Sequence, residues 1–196
     1  TATRARLGRK KAMIFKRLVA LILCLLLVLG LLTISISVLA DDAQEPAGVS
    51  YYINSLEDLL ALAEACAVDS YSKGVTVYLQ TDLDLTGSGF SSIPTFAGVF
   101  EGGGHTISGL SLTANRSHTG FFRYIQPGAV VRELNLSGEV RPGGSAQYAG
   151  GLAGNNSGTI SDCSFAGDVE ALTSTGGLVG ANEKEGVIEN CRVSGT

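Results

Sequence analysis

A repeated glycine-rich segment constrains the fold of this chain more than any other feature. The segment GGLAG at 150–154 recurs 26 residues later as GGLVG at 176–180. Each copy is followed by an asparagine-containing turn and then by the pattern apolar-x-x-apolar-x-apolar-x-Gly, at 160–167 and at 188–195. Self-similarity at a nearly fixed period is the signature of a fold built from stacked structural repeats.

Earlier copies of the same apolar pattern extend the repeat towards the N-terminus. The pattern stands complete at 131–138, lacks its glycine at 107–112 and leaves a shorter trace at 83–87. Its central Leu or Cys falls at 83, 110, 134, 163 and 191, in steps of 24 to 29 residues. The alignment predicts three inward-facing columns: Ile107/Val131/Ile160/Ile188, Leu110/Leu134/Cys163/Cys191 and Leu112/Leu136/Phe165/Val193.

The chemistry of one repeat indicates short strands joined by tight turns. Alternating apolar residues are typical of strands with one buried face, and the glycine and asparagine clusters between them exclude a long helix. A unit of this size cannot bury its own apolar side, so successive units must stack at about 4.8 Å. We therefore predict an all-β fold, a right-handed parallel β-helix.

A leucine-rich repeat is the alternative that these spacings leave open. That fold requires Asn or Cys, and then another Leu, a few residues after the apolar pattern. Glu139 and Arg141 occupy those places in one copy, and Asp168 and Glu170 occupy them in the next. The pattern therefore favours the β-helix.

The glycine-rich segments resemble a known family. GGLVG at 176–180, GGLAG at 150–154 and FEGGGHTISGL at 100–110 are similar to the GLUG-repeat β-helices of bacterial surface and secreted proteins. The resemblance covers about residues 52–196, with a degenerate copy at 120–122. It implies a parallel β-helix of the kind found in adhesin-like proteins and beside IgA-specific metallopeptidases, and it transfers no catalytic residue.

The first forty residues have the layout of an export signal. Lys16 and Arg17 precede an uncharged, largely apolar run, Leu18 to Leu39, and Ala40 is suited to cleavage. We predict upstream residues plus a signal peptide at 1–40, contact with the membrane only through this segment, and a secreted or cell-surface protein. An uncleaved membrane anchor is the alternative, because about 20 apolar residues can span a bilayer.

The segment before the repeats is predicted to be a cap. After a linker at 41–50, Ser55 and Asp58 resemble a helix start, followed by a helix at about 56–67 and a strand at about 75–79. The cap, 51–82, would cover the first of the coils at 83–196, which we expect to be truncated at their C-terminal end. The predicted apolar face of the helix comprises Leu56, Leu59, Leu60, Ala63 and Ala67.

Charge and motif content predict no catalytic, cofactor-binding or metal-binding residue. Seven basic and eighteen acidic residues follow residue 40, a balance unsuited to nucleic acid. Neither His105 nor His118 belongs to a zinc-peptidase motif. Asp82 and Asp84 could form a metal site, but a solvated strand face explains them as well.

Several other polar residues have structural interpretations. Asn155, Asn156 and Asn182 occupy equivalent turns, where asparagine tolerates left-handed backbone angles. Cys163 and Cys191 are expected to stack as free buried thiols rather than as a disulfide. Six tyrosines could form a sugar-binding surface, although they are scattered along the sequence: Tyr51, Tyr52, Tyr71, Tyr78, Tyr124 and Tyr148.

These observations predict a non-enzymatic secreted or surface scaffold. Its partner would be an unidentified protein or polysaccharide at the cell surface. Two alternatives stay open: the non-catalytic N-terminal region of a larger secreted metallopeptidase, and a carbohydrate-active β-helix.

Overall fold

A computed structural model describes residues 48–195 of the chain. The predicted signal segment, its cleavage site after Ala40 and most of the predicted linker lie outside the described residues. Within 48–195, no helix is long and apolar enough to cross a membrane.

The described residues form one helix and a series of short strands. The helix, α1, spans Leu56–Ala65. The strands are β1 (Val49–Ile53), β2 (Val75–Leu79), β3 (Leu83–Asp84), β4 (Ile93–Phe96), β5 (Val99–Glu101), β6 (Thr106–Leu112), β7 (Phe122–Ile125), β8 (Val130–Arg132), β9 (Asn135–Val140), β10 (Gln147–Gly150), β11 (Ala153–Asn156), β12 (Thr159–Ser161), β13 (Ser164–Val169), β14 (Thr173–Gly176), β15 (Val179–Asn182), β16 (Val187–Glu189) and β17 (Arg192–Ser194).

The strands assemble into parallel sheets that run along a stack of about five coils. Sheet A has the order β1-β2-β5-β8-β12-β16, sheet B the order β3-β6-β9-β13-β17, and sheet C the order β4-β7-β11-β15. Strands β10 and β14 form a two-stranded sheet D. Each strand pairs with strands of the neighbouring coils, and every described pairing is parallel. The predicted all-β parallel β-helix is confirmed.

The inner columns differ from the predicted alignment at the first complete coil. Phe100, not Ile107, pairs with Val131, and that column continues through Ile160 and Ile188. Ile107 pairs instead with Leu136 in sheet B. The predicted placement of Ile107, and with it that of Leu110 and Leu112, is therefore wrong.

A β-bulge explains this difference. The residues from Ile107 to Leu112 all lie in β6, and the register with β9 shifts between Ile107 and Leu110. The bulge adds a residue to one strand, so both Ile107 and Leu110 point inwards. In the next coil the same apolar pattern runs across the corner between β8 and β9. One sequence pattern thus corresponds to two backbone geometries.

The predicted stacking of Leu134, Cys163 and Cys191 is present, and the column lies at that corner. The amide of Ser164 donates to the carbonyl of Leu134 at 2.9 Å, and the amide of Arg192 donates to the carbonyl of Cys163 at 3.0 Å. Both bonds join one coil to the next. The residue before each column member adopts a positive φ of 52° to 55°, which turns the chain from sheet A into sheet B: Glu133, Asp162 and Asn190.

The glycines of the repeated motif permit close approach of neighbouring coils. A Cβ atom at Gly154 would lie 2.2 Å from the carbonyl carbon of His118, so the backbone of the preceding coil rests directly on this glycine. A Cβ atom at Gly151 would lie 2.2 Å from the ring of Phe165 in the core. The glycines of the motif GGLAG at 150–154 are therefore required for close packing of the coils and of the core.

Helix α1 begins with the expected cap and ends earlier than predicted. The side chain of Ser55 accepts a hydrogen bond from the amide of Asp58 at 3.2 Å, which satisfies an amide of the first turn. The helix ends at Ala65 rather than at 67. Leu62 is fully buried and Ala67 is exposed, so the predicted apolar face is rotated from the observed one.

The segment at 51–82 contributes strands to the stack as well as the helix. Strand β2 pairs with β1 on one side and with β5 on the other, so both β1 and β2 are members of sheet A. Strand β1 starts at Val49, within the predicted linker. The physical stack of strands thus begins before residue 83.

Candidate functional site

The two aspartates considered as a metal site accept hydrogen bonds from neighbouring residues. Asp82 Oδ1 accepts a hydrogen bond from the amide of Thr106 at 2.9 Å and lies 3.1 Å from His105 Nδ1. Asp84 Oδ1 accepts from the amide and the hydroxyl of Thr86 at 2.9 and 2.7 Å. These hydrogen bonds lower the pKa of both carboxyl groups. Residues 48–195 contain no group of three or more His, Cys, Asp or Glu side chains able to hold a metal ion.

The cysteines of the described region are free thiols at different depths. Cys163 is 2% exposed, and Cys66 is fully buried. Burial raises the pKa of Cys163 to about 12 and that of Cys66 to about 11. Cys191 lies in the last described coil and is half-buried, so the prediction that it is buried is wrong.

We expect Cys163 to resist alkylation by iodoacetamide at pH 8 in the folded protein. Only the thiolate reacts, and a pKa of about 12 leaves about one Cys163 thiol in ten thousand ionised at that pH. Cys191 should react faster because its sulfur is more accessible. Mass spectrometry of peptides after timed labelling measures both rates.

The same labelling in urea without reductant tests for a disulfide. All of Cys66, Cys163 and Cys191 should then react fully. Failure of both Cys163 and Cys191 to label would show that these two residues are bonded.

The three asparagines predicted to occupy equivalent turns lie instead in strands β11 and β15, and none of them has a positive φ. Asn156 is fully buried, and its side chain holds the turn at Gly158 and reaches Asn182 Oδ1 at 2.7 Å. Asn182 donates to the carbonyl of Gly186 at 2.8 Å, which repeats the arrangement one coil further on. Asn155 lies on the outer surface and donates to Glu183 Oε1 at 2.6 Å.

An aromatic corner lies on the outer surface where sheets C and D meet; we define it by His118, Tyr124 and Tyr148. The rings of His118 and Tyr148 stack at a centroid distance of 4.6 Å and an angle of 11°. The rings of His118 and Tyr124 lie 5.1 Å apart at 34°, and Tyr124 Oη is 3.2 Å from His118 Nδ1. All three side chains are half-buried.

Charged groups surround the aromatic corner. The Arg123 guanidinium lies 5.2 Å from the ring centre of Tyr124 and donates to the carbonyl of Ser117 at 3.3 Å. Burial, and then the charge of Arg123, lower the pKa of His118, whereas Glu183 opposes this effect. The imidazole of His118 is therefore neutral at neutral pH and presents a flat, uncharged ring to Tyr148.

The sequence gives His118 no zinc-peptidase motif, and the tyrosines are scattered along it. The structure brings two of the six tyrosines, Tyr124 and Tyr148, into contact with His118, and it stacks Tyr52 on Tyr78 elsewhere at 5.3 Å. The bridge between Thr119 and Ala149 sets His118 beside Tyr148. Aligning the degenerate copy at 120–122 with GGLAG at 150–154 would have brought the two residues close in register.

The architecture defines the class of the protein: a parallel β-solenoid built from coils. Residues 145–170 and 171–196 each match the family described as the GLUG motif. Those ranges contain the segments GGLAG and GGLVG, so the predicted resemblance is confirmed and the chain carries two GLUG repeats.

The chain is also similar to halomucin from Haloquadratum walsbyi (strain DSM 16790 / HBSQ001). The two are 29% identical over 151 residues, which cover 70% of this chain and 2% of halomucin. The chain thus spans a small fraction of that relative. The comparison with solved structures gives no significant match. Together the repeats and this relative indicate a surface or secreted protein with a β-helix fold.

Proposed function

We propose that the chain is a non-enzymatic extracellular scaffold that contacts a protein or polysaccharide partner outside the cell. The observation that carries the proposal is the structural use of the GLUG motif. Gly154 leaves room for the backbone of a neighbouring coil, and Gly151 leaves room for an aromatic ring of the core. Residues devoted to stacking build a long surface and leave the outer side chains available for contact.

The net charge is suited to dense display of such a scaffold. The segment from residue 41 onward carries eighteen acidic and seven basic side chains. Mutual repulsion of acidic surfaces keeps a protein dispersed at high local concentration. A solenoid with such a surface can be displayed densely without self-association.

Immunolabelling of intact cells tests where the chain is located. An antibody against the exposed segment at 113–116 should label intact cells or the culture medium. A cytoplasmic protein serves as the control that must remain unlabelled until lysis. Labelling confined to lysed cells would contradict the proposed location.

A binding assay tests the scaffold role itself. Beads coated with the full chain should retain extracellular polysaccharide or matrix protein, and beads coated with heat-unfolded chain should not. Recovered partners should have unchanged mass. Retention that is equal for folded and unfolded chain, or cleavage of the partner, would contradict a non-enzymatic scaffold.

A further inference from the structure

At the aromatic corner, large outer side chains in one coil are followed by small ones in the next coil. We call this change in side-chain size the step. Tyr124, Asn155 and Ala181 occupy one outer column of sheet C. Tyr148 and Ser174 occupy the neighbouring column, because the residues on both sides of them are paired. Large side chains in one coil are therefore followed by a serine and an alanine in the next.

The step places only a small side chain, that of Ser174, next to one face of the Tyr148 ring, which we call the open face. His118 covers the opposite face at a centroid distance of 4.6 Å. The next residue in the column is Ser174, which is exposed and carries only a hydroxymethyl group. Successive coils are about 4.8 Å apart, so this short side chain cannot extend under the whole ring. The flat apolar face of the Tyr148 ring is therefore followed by the Ser174 hydroxyl group.

Hydrogen-bonding groups lie beside this open ring face. Asn155 follows Tyr124 in the adjacent column, and its amide is bonded to the Glu183 carboxylate at 2.6 Å. Thr173 and Thr175, which flank Ser174, are exposed. The amide and hydroxyl groups can donate to and accept from sugar hydroxyls, and the carboxylate can accept from them.

We propose that the step formed by Tyr148, Ser174 and Asn155 is a subsite for one pyranose ring of a neutral glycan. The C–H groups on one face of the pyranose would lie on the open Tyr148 ring, and its hydroxyls would meet the polar groups beside it. The proposal rests on the scaffold function and names its ligand class. A single flat face suits a sugar ring, whereas a quaternary ammonium group requires a cage of several aromatic faces.

Titration of the full chain with cellohexaose, chitohexaose and laminarihexaose tests the proposal. At least one of these neutral hexasaccharides should bind, and Tyr148→Ala should lower its association constant by about tenfold. Tyr52→Ala is the matched control, since Tyr52 is 54% exposed on sheet A. This control should leave binding unchanged.

A second variant separates loss of the subsite from loss of the fold. His118, Tyr148 and Ser174 share a positive φ, of 57°, 61° and 53°. The column thus already holds two aromatic residues in this conformation, and Ser174→Tyr should extend the stack. It should cover the open face and abolish glycan binding, while the thermal midpoint stays equal or rises.

Three results would overturn the subsite. They are absence of binding by all three hexasaccharides, binding unaffected by Tyr148→Ala, and binding unaffected by Ser174→Tyr in the folded protein. In the last two cases the scaffold function would stand, because the chain would still bind glycan elsewhere. Failure of surface labelling with intact glycan binding would instead reject the proposed extracellular location and leave the subsite in place.

Discussion

Replacing Gly167 by alanine is expected to lower the free energy of unfolding by about 4 kcal/mol or more. Gly167 has a φ of 150°, and a Cβ atom there would lie 1.9 Å from the carbonyl oxygen of Gly138. These two glycines are paired in sheet B, so neither backbone can move without disturbing both coils. Urea denaturation followed by circular dichroism measures the change.

Gly143→Ala is the matched control for this substitution. A Cβ atom at Gly143 would have its nearest neighbour, the carbonyl oxygen of Thr113, at 3.8 Å. Its φ lies outside the left-handed region. We expect a change below about 0.5 kcal/mol. Equal denaturation midpoints for the Gly143 and Gly167 variants would contradict the close approach of the two coils.

Asn156→Asp is expected to destabilise the protein by about 3 to 5 kcal/mol at neutral pH. The buried amide of Asn156 donates to Asn182 Oδ1 at 2.7 Å and to the carbonyl of Gly158 at 3.2 Å. An ionised carboxylate cannot donate and would face these two oxygens in a site without solvent. Urea denaturation at pH 7 measures the loss.

The penalty at Asn156 should depend on pH. Burial raises the pKa of the introduced carboxyl group in the folded protein above its unfolded value of about 4. Relative to the unsubstituted protein, the penalty is therefore smallest below about pH 4, and it grows as the pH rises towards the raised folded pKa. Asn182→Asp is the control, because Asn182 pairs with Asn156 in the next coil and is exposed. Equal losses of stability for both variants at pH 7 would argue against a solvent-free environment for the Asn156 side chain.

The sequence was sufficient to predict those parts of the fold that depend on local chemistry. Ser55 starts the helix because its hydroxyl caps the amide of Asp58, and that requirement is visible within four residues. The column through Leu134 and Cys163 was also predictable, because each member follows the same kind of corner. Local pattern and backbone geometry agree at these positions.

The alignment of Ile107 with the neighbouring coils could not be predicted in the same way. The apolar spacing after Ile107 results from a bulged strand, and the identical spacing after Val131 results from a corner. Periodicity records which residues point inwards and does not distinguish these two paths. Only the pairing of Phe100 with Val131 resolves the alignment.

The aromatic corner depends on tertiary register and was inaccessible for a similar reason. Tyr148 is 30 residues from His118, and the two rings meet only because Thr119 pairs with Ala149. The degenerate copy has one residue fewer than GGLAG between this bridge and the pair formed by Phe122 and Ala153. A shift of one residue at that point would place a different side chain beside His118.

The direction of the hydrogen bonds between coils gives the solenoid an anisotropic response to mechanical load. Strands of sheets A, B and C bond to strands of neighbouring coils, so these bonds point along the stack. Tension along the stack pulls directly on the bonds at coil boundaries, and these can open one boundary at a time. Tension across the stack acts along the strands and must shear many bonds together. For a protein held outside the cell, the direction of pulling would determine the force it withstands.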